Sequence, residues 1–169
     1  IKEESIESYF VWIPRYKYKL FDMGNYDTNT DSATENKAKP IEIIFENKDT
    51  EVSVGTNVGD YHSHPAFQAF NTNGLWVGKF ETSGTMTDLK IKPNQNSITR
   101  QTVKAMFDAS LGYSNTNKSH LMKNTEWGAV AYLSHSIYGI NEEVYFNNSS
   151  NGYTGRSLGG TPISSAEIY

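Results

Sequence analysis

The sequence contains no cysteine. That absence excludes a disulfide framework, thiol catalysis and any zinc site built on sulfur, and it fixes no compartment. Long apolar runs are also missing: none approaches the ~18 residues that a membrane-crossing helix requires. Charge is sparse, with 15 Lys and Arg against 19 Asp and Glu among 169 residues. The resulting net charge of −4 has the wrong sign for a phosphate backbone. The one basic cluster, Arg15-Tyr-Lys-Tyr-Lys19, alternates cations with aromatics at strand spacing. Neither a nucleic-acid partner nor a membrane span is therefore expected. A Gly-x-Ser-x-Gly elbow and a glycine-rich phosphate loop are absent as well, so no residue is assigned a catalytic role.

Aromatic and small polar residues take the place of charge. Eleven Tyr, eight Phe and three Trp supply large side chains for a core, and the length suits one domain. Asn, Ser, Thr and Tyr are abundant relative to Lys and Glu, a composition typical of binding loops and extracellular proteins. The chain starts at Ile1 rather than Met, which is expected of a processed or excised segment.

Hydrophobic periodicity predicts strands over Tyr9–Ile13, ended by Pro14, and over Tyr16–Phe21, where aromatics and cations alternate. Residues 22–40 read as a polar loop, Ile41–Phe45 as a strand and Val52–Gly59 as a turn-rich connection. In Gly74–Glu81, Trp76, Gly78 and Phe80 fall on one strand face. A helix is predicted over 98–111, capped from within Pro93–Ser97, with Val103, Met106, Phe107 and Leu111 inward and Gly112 as its stop. A second helix is predicted from an Asn124–Thr125 cap, with Glu126 in its first turn, Trp127, Val130, Ala131 and Ser134 inward, and Gly139 closing it. Strands outnumber helices and the loops are long, so the expected class is α+β.

The stretch Asp60-Tyr-His-Ser-His-Pro-Ala-Phe67 carries two of the four histidines. On a strand, His62 and His64 would face the same way and could ligate one metal. The His-Ser-His-Pro core looks like that of the JAMM metalloproteases. Leu75, however, stands where that pattern places a metal-binding Asp, Thr85-Met-Thr-Asp88 is out of register, and Glu42, Glu46 and Glu51 are only generic general-base candidates. Two readings stand: a structural turn, or a metal-dependent hydrolase using His62 and His64. Asp27-Thr-Asn-Thr-Asp31 offers alternating oxygen ligands, but Ser32 and Ala38 occupy the Gly and Glu places of a calcium loop. A solvated acidic loop and a weak extracellular calcium site are the two readings there. His120 and His135 read as structural. Tyr145, Asn147, Asn148, Asn151, Tyr153 and Arg156 form the most paratope-like stretch and are the predicted ligand-binding residues.

Four segments in order resemble one family. Phe10-Val-Trp-Ile-Pro14 with Phe21-Asp-Met-Gly24, Leu75-Trp-Val-Gly-Lys-Phe-Glu81, the helix at 98–111 and Leu121-Met-Lys-Asn-Thr-Glu-Trp127 are similar to motifs of the formylglycine-generating enzyme, or sulfatase-modifying factor, family. The resemblance covers about residues 9 to 140. It implies a C-type-lectin-like fold with two helices, short antiparallel strands and long loops, in a single domain over 1–169. Within that group the chain looks closest to phage tail-associated and pilin-like exterior proteins of gut Firmicutes. The cysteines that bind copper in the oxidase branch are absent, so that activity is not carried over. The family's last core strand has no counterpart before Tyr169, so the domain is expected to be incomplete at its C-terminal end or completed by a partner.

The resemblance thus implies a non-enzymatic, extracellular protein of a virion or cell-surface appendage, needing no cofactor. Its expected partners are a host-surface glycan or protein, and further copies in a homo-oligomer, filament or virion. The alternatives are the metal-dependent hydrolase and a purely structural filament subunit.

Overall fold

The structure is a computed structural model; it describes residue 2, residues 5–20 and 40–140, and the backbone of 148–149 and 152–153. The class is α+β, with small antiparallel sheets and few helices. Chain contacts divide it into two compact units. One comprises Tyr9–Lys79 and Met122–Glu143, and the other comprises Ile1–Ser8, Phe80–Leu121 and Val144–Tyr169.

The first unit holds two sheets. Strand β1 (Phe10–Pro14) pairs antiparallel with β5 (Gly74–Gly78), placing Trp12 directly opposite Trp76 and Ile13 opposite Leu75. Side chains alternate across the ribbon: Ile13, Leu75 and Val77 turn into the core, while Phe10, Trp12 and Trp76 turn out. Pro14 sits at the strand end, where its missing N–H costs no ladder bond, and the Arg15 N–H resumes the ladder by donating to Asn73 O at 2.7 Å. Phe80 falls beyond β5, so only Trp76 and Gly78 of the three predicted residues share a strand face. The second sheet places β2 (Tyr16–Lys19) between β3 (Ile43–Phe45) and β4 (Tyr61–Ser63). The aromatic–cation alternation of β2 divides as predicted: Tyr16 and Tyr18 pack against the core, whereas Lys19 pairs with Glu42 and Lys17 lies over the Tyr61 ring.

A short helix α1 (Pro65–Gln68) follows β4 at once, with Pro65 in its first turn, where proline's fixed φ suits helix entry. A longer helix, α3 (Asn124–Ser134), covers the same core of Ile13, Tyr16, Ile43, Ala66, Phe67 and Ala129. Its cap is Lys123, one residue earlier than predicted, and Glu126 at the third helical position reaches back to accept from the Lys123 N–H at 2.7 Å. Glu126 is buried in that turn. The inward residues are Ala129, Val130, Tyr132 and Leu133, and Trp127, predicted inward, is half exposed. The helix ends at Ser134 with His135 as C-cap, before Gly139.

The second unit contains a tight hairpin, β6 (Ser83–Thr85) to β7 (Asp88–Lys90), and helix α2 (Val103–Tyr113). Gly84 has φ +87, and an added Cβ would collide with the Asp88 carbonyl, so this turn requires glycine. The cap of α2 is Thr102, whose hydroxyl accepts from Ala105 N at 3.2 Å; the predicted start at 98 and stop at Gly112 both shift toward the C-terminus. The predicted inner stripe of α2 is corrected too. Val103 is 77% exposed, Phe107 and Leu111 are exposed, and no residue of the helix is fully buried. The physical reason is the partner's size: α2 packs on the two-stranded hairpin at β7, too narrow to cover a helix stripe. Strands β8 (Asn148–Ser149) and β9 (Gly152–Tyr153) form a further antiparallel pair.

Candidate functional site

The histidine pair sits where β4 runs into α1. Asp60 prepares this junction by accepting from the Thr56 and Asn57 N–H groups, closing the turn that feeds β4. His62 lies on β4 opposite Tyr18, with the two rings 5.7 Å apart and edge-on. His64 is the N-cap of α1. Its Nδ1 accepts from Ala66 N at 3.3 Å, and its backbone N–H donates to Tyr16 O at 3.1 Å.

The His64 ring is enclosed by aromatics: Tyr16 at 5.4 Å, Tyr132 at 5.6 Å, Tyr18 at 5.7 Å and Phe67 at 5.9 Å. Its Nε2 faces α3, where a Cβ added to Gly128 would stand 3.6 Å away. Burial first, and His62 beside it second, lower the His64 pKa from 6.5 to about 4. His64 is thus a neutral, buried ring with Nδ1 engaged by the cap and Nε2 turned toward Gly128. Tyr16 completes the cluster by donating its hydroxyl to Ala129 O at 2.6 Å, and burial pushes this phenol far above the ordinary tyrosine range.

Two of the three carboxylates considered as partners, Glu42 and Glu46, are engaged elsewhere. Glu42 accepts from Lys19 Nζ at 3.0 Å and from the Tyr61 hydroxyl at 3.3 Å. Glu46 pairs with Arg15 at 2.9 Å, with the two side chains only 2% and 1% exposed. Arg15 also donates to Phe67 O at 3.2 Å, tying β2's entry to α1, while Glu46 Oε2 has no hydrogen-bond partner among the described residues. Among the described residues no three His, Asp or Glu side chains stand together in a group able to hold a metal. His120 Nδ1 lies 2.9 Å from Lys118 O within a local turn, and His135 caps α3.

The outward face of the β1–β5 ribbon has different chemistry. Trp12 and Trp76 are 41% and 66% exposed, and their ring centroids stand 5.1 Å apart at 55°. A Cβ on Gly74 would stand 2.5 Å from the Trp12 ring, so glycine there lets the indole lie against the ribbon. The sequence marked Trp76 as a strand residue but did not reveal its cross-strand partner, because pairing between positions 64 residues apart leaves no local pattern. The buried Arg15–Glu46 pair was missed for the same reason.

Elsewhere, the second unit has a groove of about 330 Å³ lined by Glu81, Met86, Leu89, Ile98, Met106 and Leu121 among others. The predicted ligand-binding residues Tyr145, Asn147, Asn151 and Arg156 lie outside the described residues, as does Asp27–Asp31; for Asn148 and Tyr153 the backbone alone is described, paired across β8–β9. No helix among the described residues is long and apolar enough to cross a membrane. Comparison of the chain with protein-family models, with curated proteins and with solved structures returns no match in any of the three.

Proposed function

We propose that this chain is a non-enzymatic, C-type-lectin-like exterior domain of a phage tail or bacterial surface appendage, with a structural and adhesive role toward a host glycan or protein. The observation that carries the reading is the Trp12–Trp76 pair, two large apolar rings held on the solvent face of a ribbon. Isolated apolar residues on a surface are ordinary, whereas a contiguous apolar patch is a feature that contact sites often share. Of the imidazoles, the other constellation with chemical potential, His64 packs and caps α1 and His62 packs edge-on against Tyr18. The resemblance of the segments around Trp12, Trp76 and Trp127 to the formylglycine-generating-enzyme family supports the same fold reading and supplies the exterior setting.

Immunogold electron microscopy of the source cells and their phage particles, using antibody raised against this chain, tests the reading. Gold is expected on tails or appendages. Label confined to the cell interior would contradict it, and label along a regular filament whose bearers adhere to no host cell would reduce the role to a structural subunit.

A further inference from the structure

We infer that the Trp12–Trp76 face is a carbohydrate-binding platform for neutral pyranose sugars; this deepens the adhesive reading above and rests on it. The antiparallel register and strand alternation place Phe10, Trp12, Pro14, Gly74, Trp76 and Gly78 on one side of the ribbon. None of the six is charged. A face without carboxylates offers nothing to a cationic ligand beyond its rings, and a face without Lys or Arg offers nothing to an acidic one. What it offers is two π-surfaces, which attract the slightly positive C–H groups that line one side of a pyranose ring. Gly78 adds no side chain to this face, and the space over Gly74 is taken by the Trp12 ring. The two rings meet at 55°, with Trp12 seated over Gly74 and Trp76 the more exposed of the pair.

The area of the face selects the class of ligand. The exposed fractions of Phe10, Trp12 and Trp76 correspond to roughly 350 Å² of apolar surface, taking up to ~250 Å² for each full aromatic side chain. A stable protein–protein interface needs about 800 Å² from each partner, more than twice as much. A patch of this size fits one or two sugar rings. Such a contact is weak for one site and becomes useful for adhesion when many copies are displayed together.

Isothermal titration and indole ¹⁵N–¹H NMR of the full chain test this with four neutral probes: tetrasaccharides of β-1,4-glucose, α-1,6-mannose, β-1,4-galactose and β-1,4-N-acetylglucosamine. At least one is expected to bind at millimolar or tighter affinity, shifting the indole signals of Trp12 and Trp76 and leaving Trp127 unmoved. Trp76→Ala is expected to weaken that binding about tenfold, with Trp76→Tyr restoring most of it. Equal melting temperatures of the wild type and Trp76→Ala exclude misfolding as the cause. Absence of binding to all four probes, or binding indifferent to Trp76→Ala, overturns the inference. A parallel arm separates it from the adhesive reading: beads coated with the chain are applied to fixed bacterial and epithelial cells. If coated beads adhere through Trp76 while no sugar binds, the platform meets a protein and the carbohydrate assignment falls alone. If they adhere to nothing, both fall.

Discussion

His64 couples the core to pH. The unfolded chain takes up a proton on this imidazole near 6.5, whereas the folded chain resists until about 4. Between those values the unfolded state binds more protons, so stability is lost as pH falls from 6.5 to 4 and is fully present above 6.5. The span corresponds to an effect on the order of 3 kcal/mol. Urea unfolding across this range should show a steeper pH dependence in the wild type than in His64→Asn, which keeps an acceptor at the cap and removes the titration. Equal slopes would place the imidazole in water. Arg15 and Glu46 make a second test at this scale. Replacing either with Ala leaves a buried charge alone and should cost about 3–5 kcal/mol, whereas the joint change Arg15→Met with Glu46→Leu should cost much less, as a double-mutant cycle by chemical denaturation will show. No spacing rule joins positions 15 and 46; only the pairing of β2 with β3 brings them together.

The helices owe their ends to single groups, and these are testable. Gly128 lies inside α3, and a Cβ there would meet the His64 ring at 3.6 Å, an ordinary contact. Gly128→Ala should therefore stabilise the protein by about 1 kcal/mol through helix propensity, visible as a raised melting temperature. Thr102→Ala removes the hydroxyl that accepts from Ala105 N and should lower stability by about 1 kcal/mol, with α2 losing amide-exchange protection first. The same elements show what was legible in the sequence. Alternation in β2 and the apolar runs of β1, β3 and β5 predicted strands that overlap the observed ones, most of them shorter than predicted, because strand patterning is written in adjacent residues. Helix faces were less legible than strands. Periodicity in α2 predicted an inner stripe, but the narrow β6–β7 hairpin leaves Val103, Phe107 and Leu111 outside. In α3 the inward side is carried by Ala129, Val130, Tyr132 and Leu133, while Trp127 stays half exposed.

For the molecule as a whole, the division of labour between inward histidines and outward tryptophans decides the functional reading. The motif His62-Ser63-His64-Pro65 was visible at once in the sequence, yet its role depended on what surrounds it: Tyr16 and Tyr18 from β2, Phe67 from α1 and Tyr132 from α3. The tryptophan pair was invisible until β1 met β5. Proline and the acceptor nitrogen of His64 together start α1, so a motif that resembles metal chemistry acts as a helix start. The most direct test is ¹⁵N-resolved NMR of the imidazoles at pH 5.5, with and without one equivalent of zinc. The packing predicts a neutral His64 with its proton on Nε2 and signals that zinc leaves in place. A protonated His64, or stoichiometric zinc-dependent shifts of His62 and His64 together, would contradict it.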